Sequence, residues 1–182
     1  MKCTKIESKL EGPGSGVERS EGLHLTPIIY DIAIKLGIMK PSSDSEDGKA
    51  EFFERGFIFE DLLSHVFAAR MALRIGEITL DGITGSPDGL GEWESRLVVE
   101  EYKCTSKSLS RPIEDNWMWV TQVKAYCHMV GVPKAIMRVL YVAGDYKPPF
   151  PQYRAYLMEF SQRELEENWS IIVNHAKAQG WL

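Results

Sequence analysis

The sequence predicts an α/β protein in which a mixed sheet of about five strands is flanked by helices that come before, within and after it. Three observations predict this class. The hydrophobic pattern changes from a helical to an extended period after Gly76. Asp81-Gly82 then gives a strong signal for a two-residue β-hairpin. Further along, Ser-Gln-Arg-Glu at 161–164 is a capping box, which indicates the start of a last helix.

Two helices are predicted before the sheet. Residues 1–22 are rich in Gly, Ser and charge and lack periodicity, so we expect a mobile arm there and a single domain over residues 23–182. Thr26 and Pro27 are typical of a helix start, with threonine as the N-cap and proline at the first helical position. The apolar positions predict a second, longer helix over roughly 51–74.

Five segments have strand character, and one helix divides them. The strands are predicted at 77–80, 83–86, 96–104, 135–142 and 152–160. The dividing helix lies over 113–130, because Gly131 and Pro133 end its periodic pattern. The predicted order is therefore two helices, three strands, a helix, two strands and a final helix that ends near Gly180.

The composition argues against several classes of protein. With 182 residues, of which 44% are hydrophobic and 26% charged, the chain can bury a core as one domain. No apolar run approaches the ~20 residues of a membrane-spanning helix, and the N-terminus lacks the apolar stretch of a secretory signal. The three cysteines are widely separated, which argues against disulfides and a structural zinc site and favours a reducing cytoplasm. A net charge of −5 weakly disfavours a protein that passively coats DNA.

Two carboxylates and a lysine are placed to converge at one end of the predicted sheet. Asp88 follows the second strand in Ser-Pro-Asp-Gly, and Glu101 and Lys103 end the third strand in Glu-Glu-Tyr-Lys. Residues at i and i+2 of a strand share a face, so Glu101 and Lys103 lie together while Glu100 and Tyr102 point to the other side. The loop between Asp88 and the return strand is long enough to bring the two acids together.

This set of residue types is suited to phosphodiester hydrolysis. Magnesium takes one or two carboxylates and keeps waters, and a bound metal lowers the pKa of its water and balances charge in an in-line displacement. A lysine beside that water can orient it, deprotonate it or stabilise the transition state, and the sequence leaves these roles open. A structural explanation also stays open, in which Asp88 begins a turn and Glu101 and Lys103 form a charge pair.

Three further features favour the catalytic interpretation. Glu60 places an acid on the helix before the sheet, in Arg-Gly-Phe-Ile-Phe-Glu. Gln122 and Tyr126 are spaced i, i+4, so they share one face of the helix after it. Lys107 and Arg111 lie in an acid-free segment directly after the Glu-x-Lys strand, where a phosphate backbone would pass, although a solvated loop would have the same composition.

Together these motifs resemble a known family. The combination R-G-x-x-x-E at 55–60, G-S-P-D-G at 85–89, E-Y-K at 101–103 and Q-x-x-x-Y at 122–126 is similar to the RecB-like and lambda-exonuclease-like (YqaJ) branch of the PD-(D/E)XK nucleases. The resemblance covers about residues 19–130 in the correct order. It implies a restriction-endonuclease-like core and a DNA-cleaving activity that depends on Mg²⁺, with Mn²⁺ as a substitute.

The resemblance also implies a metal site. Asp88 and Glu101 would ligate the ion through their carboxylates, and the Tyr102 carbonyl would be an additional ligand. Glu60 would bind a second metal or a metal-bound water.

Other residues take roles from the same resemblance. Lys103 would be the catalytic lysine, Gln122 would sit at the edge of the site and touch water or DNA, and Tyr126 would pack its helix against the sheet. Arg19 and Thr26 fit the pattern of an arginine and a hydroxyl residue that grip the 5′ phosphate of a strand end. A helix N-terminus is a suitable anion site for this purpose, but a plain N-cap role for Thr26 explains that residue equally well.

The leading functional hypothesis is an exonuclease that acts on linear double-stranded DNA ends in phage-type recombination or DNA processing. An endonuclease with the same centre, and a non-catalytic DNA-binding module that keeps a nuclease fold, are the alternatives. The implied partners are DNA ends, a single-strand annealing protein and further copies of the chain in a ring trimer, with no membrane. If the chain is phage-encoded, it would work in the host cytoplasm.

Overall fold

The computed structural model of the protein describes residues 20–41, 58–59, 61–62, 65, 73–106, 108–142 and 151–182. The predicted α/β class is confirmed: two small mixed sheets lie among helices. Most of the predicted arm and most of the predicted helix over 51–74 lie outside the described residues.

The helices and strands follow one another in an order close to that predicted. In chain order they are β1 Leu23–His24, α1 Leu25–Lys35, β2 Ile78–Leu80, β3 Ile83–Gly85, β4 Gly89–Trp93, β5 Arg96–Thr105, a 3-10 turn Ile113–Asp115, α2 Trp117–Val130, β6 Lys134–Tyr141, β7 Gln152–Glu159 and α3 Gln162–Ala178. All five predicted strands are present, and β1 and β4 are additional.

The strands form two sheets instead of one. The smaller sheet has the order β1-β3-β2, and the larger has the order β4-β5-β6-β7. In the larger sheet β5 and β6 are parallel and are connected through α2, whereas β4 and β7 run antiparallel to their neighbours. Strand β5 is therefore an inner strand, with β4 on one side and β6 on the other.

Two tight turns join the antiparallel hairpins. Asp81 and Gly82 have φ of 49° and 79°, which is the positive-φ geometry that their sequence predicts for the β2–β3 hairpin. The β4–β5 hairpin turns at Glu94 and Ser95, whose φ values of 50° and 60° are also positive although neither residue is glycine. The second turn carries no Asn-Gly or Asp-Gly signal, which is why β4 was not predicted.

The start of α1 differs from the prediction. The helix begins at Leu25 and its N-cap is His24, so the expectation that Thr26 is the N-cap is wrong. The reason is that His24 is extended and pairs with Thr84 in β1, which makes the chain enter the helix directly from a strand. Thr26 is instead an exposed residue of the first helical turn.

The predicted start of the last helix and the predicted end of the helix before it are confirmed. Ser161 caps α3 in a complete capping box with Glu164. Helix α2 ends at Gly131, which takes the left-handed conformation with φ of 78° that favours glycine. The 3-10 turn occupies the first residues of the helix predicted from 113, and the regular helix starts at Trp117.

The core runs from the α2 face of the larger sheet to helices α1 and α3, which pack against α2. Buried apolar side chains come from β5, β6 and helices α1, α2 and α3, among them Val99, Val139, Ile32, Val123 and Ile172. The indole of Trp169 on α3 donates a 2.8 Å hydrogen bond to Asp81, which fastens the last helix to the β2–β3 turn.

None of the helices in the described part of the chain has the length and apolar character needed to cross a membrane.

Candidate active site

Strand β5 carries acidic or basic side chains on both of its faces. Val99, Glu101 and Lys103 point towards α2, since Val99 is in the core and Lys103 contacts a side chain of that helix. Glu100 and Tyr102 alternate with them and point to the opposite face. The shared face predicted for Glu101 and Lys103 is therefore present in the structure.

The Lys103 ammonium group lies between an acid and an amide. Its Nζ is 2.5 Å from Oε1 of Glu101 and donates a 2.9 Å hydrogen bond to Oε1 of Gln122. The Glu101 side chain is almost completely buried, and that of Lys103 retains about a fifth of its exposure. A charge-assisted contact between groups this buried fixes the position of the ammonium more firmly than a surface ion pair would.

Asp88 reaches the same place from the neighbouring strand. The antiparallel ladder of β4 and β5 pairs Gly89 with Glu100, so Asp88, one residue earlier, comes opposite Glu101. Its Oδ2 accepts a 2.6 Å hydrogen bond from the backbone N–H of Tyr102, the residue that follows Glu101. The two carboxylates predicted to converge are thus brought together by strand register.

Helix α2 completes a chain of hydrogen bonds. Gln122 accepts from Lys103 through Oε1, and its Nε2 donates a 3.0 Å hydrogen bond to the Tyr126 hydroxyl. Burial raises the pKa of that hydroxyl well above its usual value, and the negative charge of Glu101 raises it further. Because an ammonium group can only donate, Gln122 turns its carbonyl oxygen towards Lys103 and its amide N–H towards the hydroxyl.

The structure gives Tyr126 more than the packing role implied by the resemblance. Tyr126 is in the core, as expected, but its hydroxyl also accepts from Gln122 and lies near the backbone of Ser86, in the loop before Asp88. The i, i+4 spacing of Gln122 and Tyr126 was the sequence signal for this contact. Gly85 makes the approach possible, since a Cβ there would lie 2.9 Å from the tyrosine ring.

The opposite face of β5 holds a second buried glutamate. Arg138 on β6 donates to both oxygens of Glu100, from Nε at 2.6 Å and from Nη2 at 2.8 Å. A further 2.9 Å hydrogen bond runs from Arg138 to the Tyr153 hydroxyl on β7. The bidentate ion pair joins β5 to β6, and the hydrogen bond to Tyr153 joins β6 to β7, so Arg138 connects three strands of the sheet.

The residues at the Asp88–Glu101 end of the sheet suit a hard divalent cation. One carboxylate lies on β5 and the other on the residue immediately before β4, and magnesium needs only one or two carboxylates beside its waters. A group of three or more His, Cys, Asp or Glu side chains placed to hold a metal is not found among the residues that the structure describes. The third acid predicted for this purpose, Glu60, lies outside those residues.

The predicted DNA-binding residues are more dispersed. Arg111 is exposed just before the 3-10 turn, in the loop that leads from β5 to α2. Thr26 is exposed on α1, which follows β1 of the smaller sheet, whereas the Asp88–Lys103 cluster lies on the larger sheet. Arg19 and Lys107 lie outside the described residues.

No protein-family model and no curated protein sequence matches the chain. Several solved structures do. An alkaline exonuclease from Laribacter hongkongensis has 17% identity and a TM-score of 0.51 over 84% of this chain and 79% of that chain. The structure of that exonuclease in complex with dAMP has 16% identity and a TM-score of 0.50 over 87% and 89% of the two chains.

Two other solved structures have a similar degree of likeness. A phage-related exonuclease from Haemophilus somnus 129PT has 13% identity and a TM-score of 0.50, covering 84% of this chain and 79% of that chain. The protein SSO0001 has 14% identity and a TM-score of 0.51, covering 89% and 77%. At these identities the likeness concerns the fold, and the chain has the fold of alkaline and phage-related exonucleases.

Proposed function

We propose that this chain is a metal-dependent deoxyribonuclease of the PD-(D/E)XK type, in its RecB-like and lambda-exonuclease-like branch. The observation that carries the proposal is the Lys103 ammonium held between Glu101 and Gln122, with Asp88 bonded to the backbone of the next residue. The fold shared with alkaline and phage-related exonucleases supports it.

The proposed centre would hold Mg²⁺, or Mn²⁺ in its place, through the carboxylates of Asp88 and Glu101 and the Tyr102 carbonyl, with Glu60 as a further acid. Such an ion supplies an acidified water and Lewis-acid stabilisation of the phosphate. Lys103 would stand beside the attacking water, where its positive charge orients the water and stabilises the charge that develops on phosphorus oxygens. Gln122 and Tyr126 keep the ammonium of Lys103 in place.

The proposed substrate is the end of linear double-stranded DNA. A related fold is known in complex with dAMP, a nucleotide of the kind that exonucleolytic cleavage of DNA releases. Lys107 and Arg111 would contact the backbone beyond the cleaved bond, and Arg19 and Thr26 would receive a 5′ phosphate. A ring trimer, a single-strand annealing partner and a cytoplasmic setting belong to the same proposal.

A plasmid assay tests the proposal and separates the possible activities. We expect the protein to degrade linear duplex DNA with Mg²⁺ or Mn²⁺, to leave closed circles intact, and to lose activity on chelation. Ca²⁺ should support binding with little cleavage, because it accepts looser geometry and acidifies its water less. Nicking of closed circles would indicate an endonuclease, and DNA binding without cleavage under every metal would leave a non-catalytic module.

Two variants at adjacent positions of β5 provide a matched control for this assay. Glu101→Gln and Glu100→Gln remove one charge each from adjacent positions of the same strand. Cleavage should disappear in Glu101→Gln and persist in Glu100→Gln at temperatures where both are folded. The reverse result would mean that the catalytic face of β5 has been assigned wrongly.

The end specificity needs a separate experiment. Arg19→Ala should remove a preference for 5′-phosphorylated over 5′-hydroxyl duplex, since it deletes a charge-assisted contact. Equal rates on the two kinds of end in the unmodified protein would reject the 5′-phosphate pocket and leave the cleavage centre untouched.

A further inference from the structure

Beyond Lys103, the face of the larger sheet that carries the Asp88–Lys103 cluster bears a second cation. The pairing of strands places Lys103, Val139 and Arg154 side by side on β5, β6 and β7. Val139 is buried on the α2 side of the sheet, so Arg154 on the edge strand shares the face of Lys103. At strand spacings of about 4.8 Å, the two backbones are roughly 10 Å apart.

Two tyrosine hydroxyls accompany Arg154 on this face. Tyr156 is two residues along β7, and its hydroxyl is 3.2 Å from that of Tyr141 on β6. Burial raises the pKa of Tyr141, its hydrogen bond to Tyr156 adds to this, and the positive charge of Arg154 acts in the opposite direction. The guanidinium is therefore close enough to the hydroxyl pair to affect it electrostatically.

The charge of Arg154 is placed differently from the charges of two other arginines, Arg138 and Arg163. Arg138 and Arg163 form ion pairs with Glu100 and Glu167. Arg154 is exposed, and in the portion of the chain that the structure describes no carboxylate pairs with it. Tyr141 is buried and its hydroxyl is bonded to that of the partly buried Tyr156, so the exposed guanidinium and the Tyr156 hydroxyl are the donors that a phosphate oxygen could reach.

We propose that Arg154, with the Tyr156 hydroxyl beside it, binds a backbone phosphate of the DNA strand whose cleavage Lys103 assists. The inference rests on the proposed nuclease function. Its geometry follows from the sheet: the backbones at Lys103 and Arg154 are roughly 10 Å apart on one face, so a single DNA strand can contact both side chains. The contact would be independent of sequence, because it involves only the backbone.

A structural role for the same arginine makes a different prediction. Charged residues on edge strands discourage one sheet from pairing with another, and β7 is an edge strand. If Arg154 served only this purpose, its replacement would increase self-association and leave DNA affinity unchanged.

The experiment is a salt titration of DNA binding with cleavage disabled. Binding of a duplex with a single-stranded end would be measured for Glu101→Gln, with and without Arg154→Gln, from about 50 to 200 mM salt. Losing one phosphate contact should reduce the slope of log affinity against log salt by about 0.9. The affinity lost across that salt range would then be about 3.5-fold smaller.

Two controls keep the result specific. Arg163→Gln removes another exposed arginine, which is ion-paired on α3, and should leave the slope unchanged. Arg154→Lys should restore most of the slope, since it restores the charge. Size-exclusion chromatography of each variant would detect the self-association expected of a purely structural role.

The outcomes distinguish this inference from the function on which it rests. If the Glu101→Gln protein binds DNA and adding Arg154→Gln leaves the slope of log affinity against log salt unchanged, the Arg154 contact is overturned and the nuclease proposal stands. If the protein that carries only Glu101→Gln does not bind DNA, the nuclease proposal itself is rejected.

Discussion

Two consecutive glutamates on β5 are equally buried and are held in different ways. Glu100 is 3% exposed and Glu101 is 2% exposed. A planar guanidinium fork from Arg138 occupies both oxygens of Glu100. Glu101 instead contacts a lysine ammonium at one oxygen and lies opposite the carboxylate of Asp88.

This difference shows how one strand can present a structural face and a chemical face. A bidentate arginine always carries its charge and fixes both oxygens of its partner, which is a stable way to bury an acid. An ammonium group is a compact charge with three donors, so it can bind an acid, an amide and a water or phosphate together. Burial alone would not distinguish Glu100 from Glu101, whereas the identity of the cation does.

The largest expected effect is the loss of DNA cleavage when residues on the Glu101 face are replaced. Asp88→Asn, Glu101→Gln and Lys103→Met should each reduce cleavage by at least about 10²–10³-fold, the cost of losing one group that stabilises a transition state. Thermal unfolding should remain cooperative in all three. Single-turnover kinetics on end-labelled duplex would measure the loss, and a variant that retained near-normal rates would have to be removed from the centre.

The next effect concerns stability on the other face. Arg138→Ala should lower the free energy of unfolding by about 3–5 kcal/mol, because it leaves the buried Glu100 carboxylate without its compensating charge. Denaturant unfolding monitored by circular dichroism would measure this. Loss of both partners at once, as in Glu100→Leu with Arg138→Met, should cost much less than Arg138→Ala alone, since no buried charge remains. An equal cost would argue against a buried ion pair.

A smaller effect on cleavage is expected when the hydrogen bond that holds Gln122 against Lys103 is removed. Tyr126→Phe removes the hydroxyl that accepts from Gln122 and should slow cleavage roughly fivefold, which corresponds to about 1 kcal/mol for one hydrogen bond. Binding of DNA should stay the same, because the hydroxyl is buried. A change in binding with an unaltered cleavage rate would place Gln122 on the DNA and away from Lys103.

The pH dependence of stability gives the subtlest test. Burial raises the pKa of both Tyr102, on the Glu100 face, and Tyr126, on the Glu101 face, and the neighbouring glutamate adds to each shift. A tyrosine with a raised folded-state pKa contributes stability below its unfolded pKa near 10 and loses it as pH rises towards the folded value. Stability should therefore fall above pH 10, and less steeply in Tyr126→Phe. If the free energy of unfolding falls equally steeply above pH 10 in Tyr126→Phe and in the unmodified protein, the Tyr126 hydroxyl is not buried in solution.

The sequence predicted features that depend on local chemistry. The Asp81-Gly82 hairpin, the Ser161 capping box and the glycine at the end of α2 were all predicted, because each is determined by a few neighbouring residues. The shared face of Glu101 and Lys103 followed from strand alternation alone.

Features that depend on distant pairing were not accessible from the sequence. The partner of Glu100 is 38 residues away, and only the parallel register of β5 and β6 brings Arg138 to it. Strand β4 contains two glycines, which are poor strand formers, and it exists because β5 pairs with it. The early start of α1 depends on the pairing of His24 with Thr84, which no capping pattern shows.

The turn between β4 and β5 has a consequence for protein engineering. Glu94 and Ser95 both hold positive φ, a conformation that costs residues with side chains roughly 1–2 kcal/mol each, and glycine and asparagine far less. Replacing the pair by Asn-Gly should raise the melting temperature by easing the hairpin that brings Asp88 opposite Glu101. Heat tolerance could therefore be improved at the tip of the hairpin, while the residues proposed to cut DNA remain as they are.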